Sequence, residues 1–155
     1  MSNNLNADMI CQVGFIVHDI ERTAAKFCEV FGFASPRIFS TPGYEQVETT
    51  YHGQPSDATA KLAFFNAGQL QIELIEPDEK PSVWRDFLDK HGEGVHHIAF
   101  RVKDTERTAQ QLAAHNISVL QQGLYSDRSG MYTYLDSVPV LGVMLELLEN
   151  FEKPK

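Results

Sequence analysis

QVGFIVHDIERTAAKF, from Gln12 to Phe27, is answered 85 residues later by HIAFRVKDTERTAQQL, from His97 to Leu112. The register holds without a gap from Val17/Val102 through Asp19/Asp104 to the ERTA tetrapeptides that begin at Glu21 and Glu106. In each copy an alternating apolar stretch runs into an aspartate and then into a helix-periodic stretch, the order strand, N-cap, helix. Two copies of one strand–helix unit in a chain of 155 residues predict a pseudo-symmetric fold of paired modules.

Outward from the first copy, the strand at Ile10–Val17 and the helix at Glu21–Val30, stopped by Gly32, are followed by strands at Val47–Tyr51, Leu62–Asn66 and Gln71–Glu76. Ala67–Gly68 supplies a turn and Pro77 an end. PSVWRDFLDK, Pro81–Lys90, has the pattern of a short amphipathic helix linking two halves. The second copy repeats the order: strand His96–Val102, helix Thr105–His115 with Asn116 as C-cap, and strand Ser118–Gln122. A loop at Ser126–Gly130 and strands at Met131–Leu135 and Gly142–Leu148 complete it. Ser2–Asn6 and the stretch from Asn150 onward are polar tails. This predicts one α+β domain over residues 1–155, with a βαβββ module at 8–78, a linker helix at 79–94 and a second βαβββ module at 95–150. One helix covers only one face of such a sheet. Paired modules therefore curl into a cup-like mixed sheet with the helices outside and a lined cavity inside.

The bulk properties narrow the partners. A hydrophobic fraction of 43% suits a soluble core, and a net charge of −8 argues against nucleic acid or an anionic membrane as partner. The start lacks a basic-then-apolar signal pattern and no apolar run approaches spanning length, so the expected location is the cytoplasm. Cys11 and Cys28 show no ligand spacing and are expected as buried, reduced thiols.

Strand alternation separates cavity from packing face. Cys11, Val13, Phe15 and Val17 form the bulky set that packs under the helix, leaving Gln12 and Gly14 inward; His97, Ala99 and Arg101 are their counterparts. In QIELIE, Glu73 faces inward with Gln71 and Ile75, and in GVMLELLE, Glu146 faces inward with Met144 and Leu148. A carboxylate flanked by apolar residues is costly unless paired or metal-bound. Each module thus offers two side chains, Gln12 with Glu73 and His97 with Glu146, and the four form a symmetric ligand set. Three oxygens and one nitrogen suit a divalent Zn, Co, Ni or Mn ion. His96 points to the packing face as a core histidine, and His18, His52, His91 and His115 fall at element ends or in loops. Tyr132 and Tyr134 share one strand face suited to a pocket wall.

From Ile10 to Glu149 the chain resembles the vicinal oxygen chelate family, which includes glyoxalase I, methylmalonyl-CoA epimerase, extradiol dioxygenases and bleomycin-resistance proteins. FLDKHGEGVHHIAFRV (Phe87–Val102), LIEP at Leu74 and the closing GVMLELLE are most like the epimerases. The resemblance implies a metal held by Gln12, Glu73, His97 and Glu146, and a homodimer. It further implies proton abstraction alpha to the carbonyl of an acyl-CoA thioester or other carbonyl compound, with Glu146 as base. Glu48, in the expected strand QVETTY, is the candidate for the second acid/base on the opposite face of the enolate, with Glu45 as fallback.

Two departures keep other activities open. Gln12 stands where the epimerases carry a histidine, which makes the set resemble that of animal-type glyoxalase I, a lactoylglutathione lyase. YLDSVPVLG (Tyr134–Gly142) lacks the basic stretch that precedes the last strand in epimerases, so Arg101, Arg128 or Lys103 is left to meet an anionic substrate. A non-catalytic small-molecule-binding protein of the drug-resistance kind is the reading from another class. An extradiol dioxygenase is disfavoured because its iron site wants two histidines and a carboxylate.

Overall fold

The computed structural model describes residues 10–152; the tail expected at Ser2–Asn6 lies outside them. Strand β1 (Ile10–Ile16) leads to helix α1 (Ile20–Phe31), and strand β2 (Phe39–Ser40) to a helical turn α2 (Tyr44–Val47). A small hairpin, β3 (Thr50–Tyr51) and β4 (Gln54–Pro55), precedes the long strands β5 (Ala60–Ala67) and β6 (Leu70–Pro77). Helix α3 (Val83–His91) then crosses to β7 (Gly94–Val102), α4 (Thr105–Ala113), β8 (Val119–Leu124), β9 (Gly130–Leu135), the turn α5 (Val138–Leu141) and β10 (Met144–Asn150).

The strands form one mixed sheet in the order β2-β5-β6-β1-β7-β10-β9-β8-β3-β4, as the α+β, cup-like expectation requires. Its centre is the antiparallel pair β1–β7, the two copies of the repeat side by side. Each is flanked by a parallel partner, β6 beside β1 and β10 beside β7. The register is duplicated as well. Gln12 lies opposite Gln71 and Gly14 opposite Glu73; in the other half His97 lies opposite Met144 and Ala99 opposite Glu146.

The helices are held by the same devices in both halves. Asp19 caps α1 by accepting from Arg22 N at 2.9 Å, and Asp104 caps α4 by accepting from Arg107 N at 2.9 Å. A second carboxylate reaches each helix start from the last long strand: Glu76 accepts from Ile20 N and Glu149 from Thr105 N, both at 2.8 Å. Beneath α1 pack Val17, Ile20, Ala24, Ala63, Phe65 and Leu74; beneath α4 pack Val102, Leu112, Ile117, Leu135, Leu145 and Leu147. The valine, leucine, isoleucine and phenylalanine side chains among them contribute about 1.5–3 kcal/mol each when fully buried. The α3 cluster, Val83, Trp84 and Leu88 against Ile16, Ile75 and Tyr134, seals one end of the cup.

Two local expectations are corrected. Val47–Tyr51 is not one strand. Val47 closes a helical turn, Glu48 caps it in the left-handed region (φ 52), and only Thr50–Tyr51 pairs, with β8 of the other half. Proline and glycine at 42 and 43 start that turn, which uses up residues an extended strand would need. Strict alternation also fails at His96. The β1–β7 register jumps between Gly14/His97 and Phe15/Val95, so His96 is the extra residue of a bulge and is re-aimed beside His97. His18, His52, His91 and His115 are exposed.

Because the two caps are far apart and share no partner, Asp19→Ala and Asp104→Ala should each cost about 1 kcal/mol and add in the double variant. Urea denaturation followed by circular dichroism checks this.

Candidate metal centre

Glu73, His97 and Glu146 arrive from three strands, β6, β7 and β10, and all three are buried. His97 Nε2 is 3.0 Å from Glu146 Oε2 and 3.4 Å from Glu73 Oε2. Gln12, from β1, presents its amide to the same point. The facing atom, Oε1, lies 3.2 Å from His97 Nε2, 3.0 Å from Glu146 Oε2 and 3.2 Å from Glu73 Oε2 while Nε2 donates to Gln71 Oε1 at 2.7 Å. Two amide orientations therefore suit two states. With Nε2 turned inward the amide donates to both carboxylates; with Oε1 inward, three oxygens converge around His97 Nε2, which is repulsive unless a proton on that nitrogen or a cation among them offsets it. That donor set fits a divalent ion.

Burial alone would lower the His97 pKa, but the Glu146 charge and the hydrogen bonds to Glu146 and Glu73 outweigh it and push it up to about 10. Burial raises the Glu73 carboxyl, opposed by its bond to His97 and reinforced by Glu146. A protonated imidazole thus balances the carboxylates in the absence of an ion. His96 is held neutral, chiefly by burial and then by the neighbouring His97 charge. Its Nδ1, 3.0 Å from His97 Nδ1, is then an acceptor that fixes the His97 ring with Nε2 toward the cluster.

Gly14 makes room for this ring. A Cβ there would meet His97 Cε1 at 2.0 Å, so no larger residue fits unless the imidazole moves. Gln12, Glu73 and Glu146 form the floor of a cavity of about 570 Å³, and His97 is fully buried behind them. Trp84 and Tyr134 close one end, the indole Nε1 donating to the Tyr134 hydroxyl at 3.0 Å. Tyr132 shares a 3.2 Å hydrogen bond with Thr49. Burial raises both phenols, Tyr132 to about 12 and Tyr134 well beyond its ordinary value, so both are neutral groups rather than bases.

The structure brings together all four expected ligands, Gln12, Glu73, His97 and Glu146, but not Glu48. That side chain is exposed, pairs with Arg128 at 2.7 Å and does not line the cavity. Glu45 is exposed in a separate depression. Of the candidate cations, Arg101 lines the cavity, whereas Arg128 is engaged with Glu48 and the Gln46 carbonyl and Lys103 lies elsewhere. Trp84 and Arg37 are cavity residues that sequence reasoning did not single out, whereas Gln71 lines the cavity as its inward alternation predicts. A lone tryptophan on the apolar face of the linker helix was the available signal for the first. Cys11 and Cys28 are free and half-buried, and no helix among the described residues is long and apolar enough to cross a membrane.

The duplicated half-barrel gathers donor side chains from both halves at one cavity. Its family follows from the sequence: residues 11–134 match the glyoxalase/bleomycin resistance protein/dioxygenase superfamily, and the chain belongs to it. Over 89 residues it is 33% identical to the uncharacterized protein YqjC of Bacillus subtilis (strain 168), a match covering 57% of this chain and 64% of that relative's length. The fold is similar to methylmalonyl-CoA epimerase from Mycobacterium tuberculosis (TM-score 0.69, 20% identity, 98% of this chain and 93% of that one). It is also similar to a substituted Streptomyces coelicolor methylmalonyl-CoA epimerase in complex with 2-nitronate-propionyl-CoA (TM-score 0.64, 26% identity, 94% and 97%).

Since a proton on His97 competes with an ion, Co(II) or Ni(II) uptake should release protons near pH 8. Affinity should tighten as pH rises toward 10, which calorimetry in buffers of different ionisation enthalpy measures. Gly14→Ala should weaken uptake by about tenfold or more by displacing the imidazole, at a stability cost of about 1–3 kcal/mol.

Proposed function

We propose that the protein is a metal-dependent isomerase that moves a proton alpha to a carbonyl through an enolate, acting on an acyl-CoA thioester in the manner of methylmalonyl-CoA epimerase. The observation that carries the reading is the convergence of Gln12, Glu73, His97 and Glu146 on one point at the floor of an aromatic-walled cavity. These four residues would hold the ion. When bound, a divalent ion supplies Lewis-acid stabilisation of the enolate charge. Glu146 takes the alpha proton on its carboxylate. Glu73, related to it by the duplicated register, is the other carboxylate at the cavity floor and is the candidate to return a proton. It takes the part that Glu48, outside the cavity, does not fill. Tyr134 accepts from Trp84, and its own hydroxyl proton is available to a substrate oxygen. A homodimer, expected from the family resemblance, belongs to the same reading.

Similarity to the Streptomyces coelicolor epimerase, 26% identical and in complex with 2-nitronate-propionyl-CoA, supports the substrate class. One observation favours a second reading. The Gln/Glu/His/Glu set resembles that of a glyoxalase I-type lyase, whose glutathione hemithioacetal would undergo the same proton transfer. With Co(II)-loaded protein, deuterium wash-in at the alpha carbon of methylmalonyl-CoA is the expected result; formation of lactoylglutathione without such wash-in selects the lyase. Glu146→Gln should lower exchange by at least about 10²-fold while leaving the thermal midpoint within a few degrees. A protein that takes up no Co(II) or Ni(II) would instead be a non-catalytic binder.

A further inference from the structure

The cavity has a negative floor and a positive mouth. Arg101 occupies the cavity face of β7, opposite Leu148 of β10, one alternation beyond the Ala99–Glu146 pair. That spacing sets its backbone about 7 Å along the strand from the Glu146 row. Arg37 approaches from the other wall, its guanidinium carbon 5.6 Å from the centre of the Phe39 ring. Neither guanidinium has a carboxylate partner among the described residues, in contrast to Arg85 and Arg128. Outside the ligand cluster, Asp127 is the one carboxylate lining the cavity, and its Oδ1 accepts from Ser129 N and Oγ. Between floor and mouth the walls are Phe39, Phe64 and Leu148. A protein of net charge −8 thus turns two guanidiniums without carboxylate partners, one beside the Tyr125 phenol and one over the Phe39 ring, into the cavity floored by its buried carboxylates.

We infer that Arg37 and Arg101 form an anion subsite, so that the substrate is a carbonyl compound with a phosphate or carboxylate tail reaching the mouth across an apolar segment. The carbonyl end of this statement rests on the enolate reading; the anionic end rests on the two arginines. Guanidinium pairs anions through parallel N–H donors, and at a partly desolvated mouth such contacts exceed those of a neutral tail.

Trp84 is the only tryptophan in the chain and lines the cavity, so its fluorescence reports occupancy. The probes are coenzyme A, glutathione and neutral pantetheine, each with one thiol, so any thiol contribution cancels. At low salt the better anionic thiol should bind about tenfold or more tightly than pantetheine, with the preference shrinking as salt rises. Coenzyme A ahead of glutathione identifies a phosphate tail and the reverse order a carboxylate tail; either supports the subsite. Arg37→Gln with Arg101→Gln, both at exposed side chains, should abolish the preference and leave pantetheine binding and the thermal midpoint unchanged. Pantetheine binding as tightly as both anions, no saturable binding of either anion, or a preference that survives the double substitution would overturn the subsite. If the preference is present and arginine-dependent but no ion is taken up, the enolate reading fails and the subsite stands.

Discussion

Two carboxylates buried side by side are the constraint around which this protein is organised. Glu73 and Glu146 lie under strands rich in leucine and isoleucine, where an unbalanced charge costs several kcal/mol. His97 supplies the balance as a protonated imidazole. Much of the surrounding structure serves that one ring. Gly14 gives it room, His96 fixes its outer nitrogen, and the β1–β7 pairing sets it against Gln12.

The duplicated architecture was legible because it is written in local signals. Apolar alternation, the Asp19 and Asp104 caps and the matched ERTA stretches depend on neighbours in sequence, and the helices and long strands followed from them. The same alternation placed Gln12, Glu73, His97 and Glu146 on the inner face. What was not legible depends on contacts distant in sequence. The bulge at His96 comes from the register against β1, which no single strand encodes. The hairpin after Val47 crosses to β8, so residues expected in a first-module strand serve the other half. Glu48 lost its expected position for that reason. Arg37 and Trp84 reach the cavity only through tertiary placement.

The aromatic end of the cavity shows how a linker becomes part of a site. Helix α3 has the amphipathic pattern of a connecting segment, and its N-terminus is tied to the second half by Val83 N donating to Gln121 Oε1 at 3.0 Å. That bond and the Ser82 cap place Trp84 over Tyr134. Water is thereby excluded from one end of the ligand cluster, which strengthens every charge interaction there.

The paired carboxylates of the last long strands carry one more implication. Glu73 and Glu76, like Glu146 and Glu149, are three residues apart and so emerge on opposite sides of their strands, one toward the ligand cluster and one toward a helix start. A slip of either strand by a single residue would remove a ligand and uncap a helix in the same movement. Helix fraying and loosening of the buried cluster are therefore coupled, and hydrogen exchange at the Ile20 and Thr105 amides is a remote gauge of the integrity of the site.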